Sequence, residues 1–75
     1  MSIFLGAVKK ATYFDVYFYH KRKDDTEYEV VEATSEKEAI KIATKKHRET
    51  YGGSHIELFK IVEYLPNRKA KTTYF

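Results

Sequence analysis

Tyr13, Tyr17 and Tyr19 fall within one nine-residue run, Thr12 to His20, that reads TYFDVYFYH. In an extended chain successive side chains point to opposite faces. Tyr13, Asp15, Tyr17 and Tyr19 therefore share one face, and Phe14, Val16 and Phe18 share the other. The second set has the composition of a core. The first is a row of amphipathic rings, and rings on an open sheet stack the bases of single-stranded nucleic acid at roughly 1–3 kcal/mol per base. RNA-recognition sheets use this geometry. Tyr28 joins the same face from the strand that follows. The competing reading is that the rings are covered by a second copy, by a terminal segment or by another protein.

Cations that could meet phosphate lie in three places. Lys37, Lys41, Lys45 and Arg48 are spaced by 4, 4 and 3 residues, which on a helix puts them within about 80° of one another. Lys21 and Lys60 fall near the tyrosine row, and Arg68 and Lys69 belong to a basic C-terminal tail. His55 follows a glycine turn and is a further phosphate candidate. Each phosphate neutralised would steepen the salt dependence of binding. Asp15 and Glu32, on the tyrosine face, oppose it. A plain solvated face is the competing reading of the helical stripe.

Other chemistries find no support. The chain has no cysteine, which removes disulfides and thiolate–zinc sites. Its three histidines, His20, His47 and His55, stand at neither HxH nor HExxH spacing, so no metal is expected. His47 reads as a hydrogen-bonded core residue, and His20 as a partner of Glu29 across a hairpin. There is no nucleophile elbow, no phosphate-cradling glycine loop and no carboxylate pair with a reason to be buried. A non-enzymatic protein without cofactor is expected.

The elements that position these residues are legible. The run 12–20 is a strand. A two-residue turn at Asp24–Asp25 would pair it with a second strand so that Phe18 meets Val31, Val16 meets Ala33, Tyr19 meets Val30 and Arg22 meets Glu27. Ser35 and Glu38 make a capping box that opens a helix, and Gly52–Gly53 closes it. Ala39, Ile40, Ala43, His47 and Tyr51 form its buried stripe. Ile56 to Leu65 is a third strand stopped by Pro66. Ile56 and Leu58 lie out of phase with Phe59 and Ile61, which means either a bulge near Leu58–Phe59 or burial on both faces. The expected fold is α+β: a three-stranded antiparallel sheet in the order 2-1-3 with one helix on one face, ββαβ, and a short extra strand at a terminus. The core is expected to be Phe14, Val16, Phe18, Val31, Ala33, Ala39, Ile40, Ala43, Phe59 and Ile61. No helix in the chain is left to cover the tyrosine face.

Seventy-five residues make one domain, divided here into an apolar N-terminal arm (1–11), a ββαβ domain (12–65) and a basic tail (66–75). A domain this small hides only about 60 % of its unfolded surface, which favours a homodimer or complex. The net charge of +3 is uneven: residues 12–65 hold nine Lys and Arg against eleven Asp and Glu, and Lys9, Lys10, Arg68, Lys69 and Lys71 flank them. No segment approaches the ~20 apolar residues of a membrane span, and the N-terminal charges follow the apolar run where a secretory signal has them in front. A cytoplasmic location is expected.

The run EVVEATSEKEAIKIA, residues 29–43, followed by Tyr51–Gly52–Gly53–Ser54–His55 and a last strand, resembles the LX-type domain of the large ribosomal subunit, an rRNA binder. The likeness covers about forty residues. After the glycine–histidine turn, where that family has a basic run, this chain reads Ile56–Glu57–Leu58–Phe59, so the resemblance carries over His55 alone as an RNA contact. In size, charge and lack of a catalytic motif the chain is also similar to small early host-takeover proteins of Bacillus-type phages. The expectation is therefore a nucleic-acid-binding protein, RNA preferred. Tyr17, Tyr19 and Tyr28 would stack bases, and Lys21, Lys41, Lys45, Arg48, His55, Arg68 and Lys69 would contact phosphate. Such a binder would suit a phage accessory protein; the alternative is a protein-binding inhibitor or adaptor of a host enzyme acting through the uncovered sheet face or a sheet edge.

Overall fold

The computed structural model describes residues 11–65 and 69–75. Its elements are β1 (Thr12–His20), β2 (Asp25–Ala33), α1 (Glu36–Tyr51), β3 (Ile56–Tyr64) and β4 (Ala70–Tyr74). The strands form one antiparallel sheet in the order β2-β1-β3-β4. The α+β class and the 2-1-3 order stand as expected, with β4 as the extra strand beside β3. The expected N-terminal arm lies outside the described residues except for Ala11, as does Arg68.

Alternation along β1 sets the two faces. Phe14, Val16 and Phe18 are buried under α1 together with Val31, Ala33 and Ile61. The helix contributes Ala39 and Ala43, both fully buried, and these small side chains let its backbone approach the sheet closely. Ile40, Ile56 and Leu58 pack at the margin of this core.

Two expectations about register and phase are corrected. β1 and β2 are joined by the four residues Lys21–Asp24 instead of a two-residue turn, with Asp24 in the left-handed region at φ 52°. Phe18 therefore faces Glu27, Val16 faces Glu29 and Phe14 faces Val31. Lys23, not Arg22, makes the ion pair with Glu27, at 3.1 Å. Moving the pairing by an even number of residues preserves which side chains share a face, so the assignment of faces survives. In β3 the register against β1 shifts between Lys60, opposite Tyr17, and Leu58, opposite Phe18. Phe59 is the extra residue of a bulge. It leaves the core, where it was expected, and Ile56 and Leu58 fall into phase with Ile61 on the helix side.

The ends of α1 follow capping chemistry. Ser35 is the N-cap, and its hydroxyl accepts from the Glu38 N–H at 3.1 Å. The Glu38 carboxylate accepts in return from Thr34, through its N–H at 2.9 Å and its hydroxyl at 3.2 Å. Gly52 ends the helix at φ 79°, its N–H donating to the Arg48 carbonyl at 2.8 Å.

One end of the helix–sheet seam is polar. His47 is 1 % exposed and stacks on Phe18 with ring centroids 4.5 Å apart. Its Nδ1 lies 2.8 Å from a Glu29 carboxylate oxygen and its Nε2 lies 2.7 Å from Nε2 of His20. A carboxylate only accepts, so His47 donates through Nδ1, and the contact between the two imidazoles holds a single proton. His47 thus takes the carboxylate that a hairpin with the shorter turn would have placed near His20. Tyr51 closes the end, donating to Glu27 at 2.6 Å with its ring edge-on to His20.

Two stability measurements check this account. Ser35→Ala is expected to cost about 1 kcal/mol by urea unfolding. His47→Ala, which leaves Glu29 and His20 without their buried partner and opens a cavity, is expected to cost roughly 2–4 kcal/mol.

Candidate functional site

The face of the sheet that α1 does not cover is lined with rings. β1 contributes Tyr13 and Tyr17, β2 Tyr28, β3 Tyr64 and β4 Tyr74, with Val30 and Val62 between them. Tyr13 and Tyr28 are 57 % and 55 % exposed, and Val30, Tyr64 and Tyr74 are exposed as well. Tyr17 faces Tyr28 across the β1–β2 ladder, and their rings lie 5.1 Å apart at a tilt of 31°. The bulge turns Phe59 toward Tyr74, at 6.0 Å between centroids.

Lys60 stands among these rings. Its Nζ is 4.7 Å from the centroid of Tyr17, 5.6 Å from Tyr74 and 5.8 Å from Phe59. Ring faces attract a cation within about 6 Å, so Lys60 is held over the aromatic surface and makes no ion pair among the described residues. Three other cations are paired: Lys21 with Glu57 at 2.8 Å, Lys23 with Glu27 and Lys46 with Glu29.

The same face holds a buried acid. Asp15 is 8 % exposed, between Val30 on β2 and Val62 on β3. The Tyr64 hydroxyl donates to its Oδ2 at 2.5 Å. This bond, followed by desolvation and the charge of Asp15, pushes the Tyr64 phenol up to about 12. Tyr17 is raised as well, first by burial and then by the neighbouring Asp15.

The residues expected to form one site are divided by the fold. Tyr17 and Tyr28 lie together on the open face, across the β1–β2 ladder. Tyr19 shares that face at the hairpin end, but its hydroxyl is engaged by Asp24 at 2.5 Å. That hydrogen bond is the leading cause that raises its pKa. Lys21 is occupied by Glu57. His55 is half-buried, and its carbonyl accepts from the Lys21 N–H at 2.9 Å, tying the hairpin turn to the start of β3. Lys69 precedes β4, where its carbonyl accepts from the Leu65 N–H at 2.8 Å. Lys41, Lys45 and Arg48 lie exposed on the outer side of α1, with the helix and the core between them and the tyrosines. The stripe and the rings do not form one footprint.

Phe59, Tyr64, Tyr74 and Asp15 enter the site without having been assigned to it. The phase break in IELFKIVEY was the signal for Phe59. A fourth strand beside β3 was needed to bring Tyr74 in. Among the described residues no group of three or more His, Cys, Asp or Glu is placed to hold a metal ion, and no helix is long and apolar enough to cross a membrane.

Fold and site together define an antiparallel α+β domain in which, among the described residues, one sheet face is covered by α1 and the other is aromatic and open. No family model matches the chain, nor does any curated protein or solved structure.

The Asp15–Tyr64 bond has a pH signature. Loss of the phenol proton sets two anions against each other, so the stability that Tyr64 contributes is complete below pH 10 and declines as the pH rises through about 12. In an ultraviolet absorbance titration, one tyrosine is expected to ionise late, near pH 12. Tyr64→Phe is expected to remove that late step.

Proposed function

We propose that this chain is a small non-enzymatic protein that binds single-stranded nucleic acid, RNA in preference, on its open sheet face. One observation carries the reading: Tyr28, paired with Tyr17, is exposed among the described residues beside a lysine, Lys60, that is held over rings instead of by a carboxylate. Bases stack on such rings without regard to sequence, and the ammonium group meets the phosphate that joins them. Phe59, Tyr64 and Tyr74 extend the platform along β3 and β4. Tyr19 borders it at the hairpin end. In this reading the protein acts in the cytoplasm, and the helical stripe adds only a diffuse positive potential from the far side.

A second reading has one observation in its favour. β2 is a nine-residue edge strand, and among the described residues no strand pairs with its outer side, which could take an added strand from a partner protein, such as a host enzyme. Asp25, Glu27, Glu29 and Glu32 make that edge acidic and oppose pairing with a second copy of itself.

Fluorescence anisotropy of labelled single-stranded RNA separates the readings. Tyr28→Ala is expected to weaken binding about tenfold. Lys60→Glu is expected to weaken it further and to flatten its decline between about 50 and 200 mM salt. Reversing Lys41 and Lys45 is expected to change it less than reversing Lys60 alone. If the open face is instead the seam of a homodimer, Tyr28→Ala reduces the mass in solution and RNA fails to bind.

A further inference from the structure

We propose that Asp15 makes the open face selective for guanine, an inference that rests on the single-stranded RNA reading above. Asp15 is a buried carboxylate on the open face, with Val30 and Val62 as its cross-strand neighbours and the Tyr17 ring two residues along β1. No lysine or arginine among the described residues lies within ion-pair distance of it. One of its oxygens accepts the Tyr64 hydroxyl. The other accepts no hydrogen bond from any described residue. Burying a carboxylate in that state is costly unless donors satisfy it, and the unpartnered oxygen points to a ligand that brings them.

The position of Asp15 selects the donor. It lies two residues from Tyr17 on the same face of β1, a separation of about 7 Å. A base stacked on the exposed Tyr28 ring, which lies against Tyr17, can present an edge to it across the β1–β2 diagonal. A carboxylate can only accept. Uracil offers one N–H between two carbonyls, and adenine and cytosine each offer one amino group beside an acceptor nitrogen. Guanine alone offers two adjacent donors, N1–H and the 2-amino group, in parallel, and these match the two oxygens of a carboxylate. On binding, they take the oxygen that Tyr64 leaves unpartnered and compete with its phenol for the second.

An arginine side chain would present the same paired donors and would also stack on tyrosine. Lys60 decides against it. Its ammonium already lies over Tyr17, where it repels a second cation and attracts the phosphate of a nucleotide. A base edge toward Asp15 and a phosphate toward Lys60 satisfy both charges with one ligand.

The test compares short labelled uridine oligomers carrying a central pair of guanines, adenines or inosines, by anisotropy, on the wild type and on Asp15→Asn. The guanine oligomer is expected to bind about tenfold tighter than the adenine one. Inosine, which lacks the 2-amino group, is expected to fall between them. Asp15→Asn still accepts the Tyr64 hydroxyl but sets an amide donor against the base, and is expected to bring all three to the same affinity. Equal affinities on the wild type, or a guanine preference that persists in a folded Asp15→Asn, overturn the guanine assignment and leave base stacking in place. Failure of every oligomer to bind overturns both. An arginine-rich peptide that binds the wild type alone, where no RNA does, assigns the carboxylate to a guanidinium and overturns the guanine assignment. If Asp15→Asn does not fold, the guanine and inosine affinities of the wild type decide the matter.

Discussion

One helix cannot cover two faces of a sheet. The sixteen residues of α1 span about 24 Å at 1.5 Å per residue and are about 10 Å wide with their side chains. That is enough to roof the central strands on one side and nothing more. Every other feature of the molecule answers to this limit. The covered face takes phenylalanine, valine and alanine in close contact. The open face must remain compatible with water while still shielding the ladder beneath it. Tyrosine suits that position, because its ring lies over apolar neighbours while its hydroxyl stays hydrated or finds a partner.

β1 lies between β2 and β3 and buries a polar group on each face. His20 on the helix side lies against His47 and Tyr51, Asp15 on the open side is reached by Tyr64, and each is nearly inaccessible. The two are satisfied differently. His20 belongs to a chain that runs through His47 to Glu29, with Lys46 3.6 Å from the same carboxylate. That chain joins three elements and sets the angle at which the last turns of α1 meet the sheet. A fully connected polar group of this kind specifies one packing among many that hydrophobic contact alone would allow. Asp15 has a single partner, Tyr64, which is itself 46 % exposed. The helix side is closed, and the open side is not.

Facial identity was the most legible property of the sequence, because it depends only on parity. The strand pairing expected from a turn at Asp24–Asp25 was displaced by the longer Lys21–Asp24 loop, yet every side chain on β1 and β2 kept its face. Helix limits were equally legible, since Ser35, Glu38 and Gly52 act locally and need no tertiary partner. Phe59 was misplaced for the opposite reason. A bulge inserts one residue, reverses the parity after it, and depends on the opposing strand. The proposed site had the same weakness at a larger scale. Periodicity shows that Lys41, Lys45 and Arg48 share one side of a helix, but their distance from the tyrosines depends on how that helix sits on the sheet. Once α1 buries Ala39, Ala43 and His47, its cations must face away from the rings.

What remains on the open face is a small number of charges, and their arrangement carries the argument about ligands. A sheet that needed only solubility would pair its charges across strands, as Lys21 does with Glu57. Lys60 and Asp15 lie on neighbouring strands of the same face, near the same Tyr17 ring, yet make no ion pair with each other. The rings hold the ammonium away from the carboxylate, and Tyr64 covers the carboxylate on its other flank. A direct ion pair would have cancelled both charges and left a neutral aromatic surface, suited to any apolar partner. Kept apart, the two charges give the platform a polarity: a cation over Tyr17 from β3 and an acceptor two residues along β1. The nucleotide proposed above would satisfy both, with donors on the edge of its base and an anion in its phosphate.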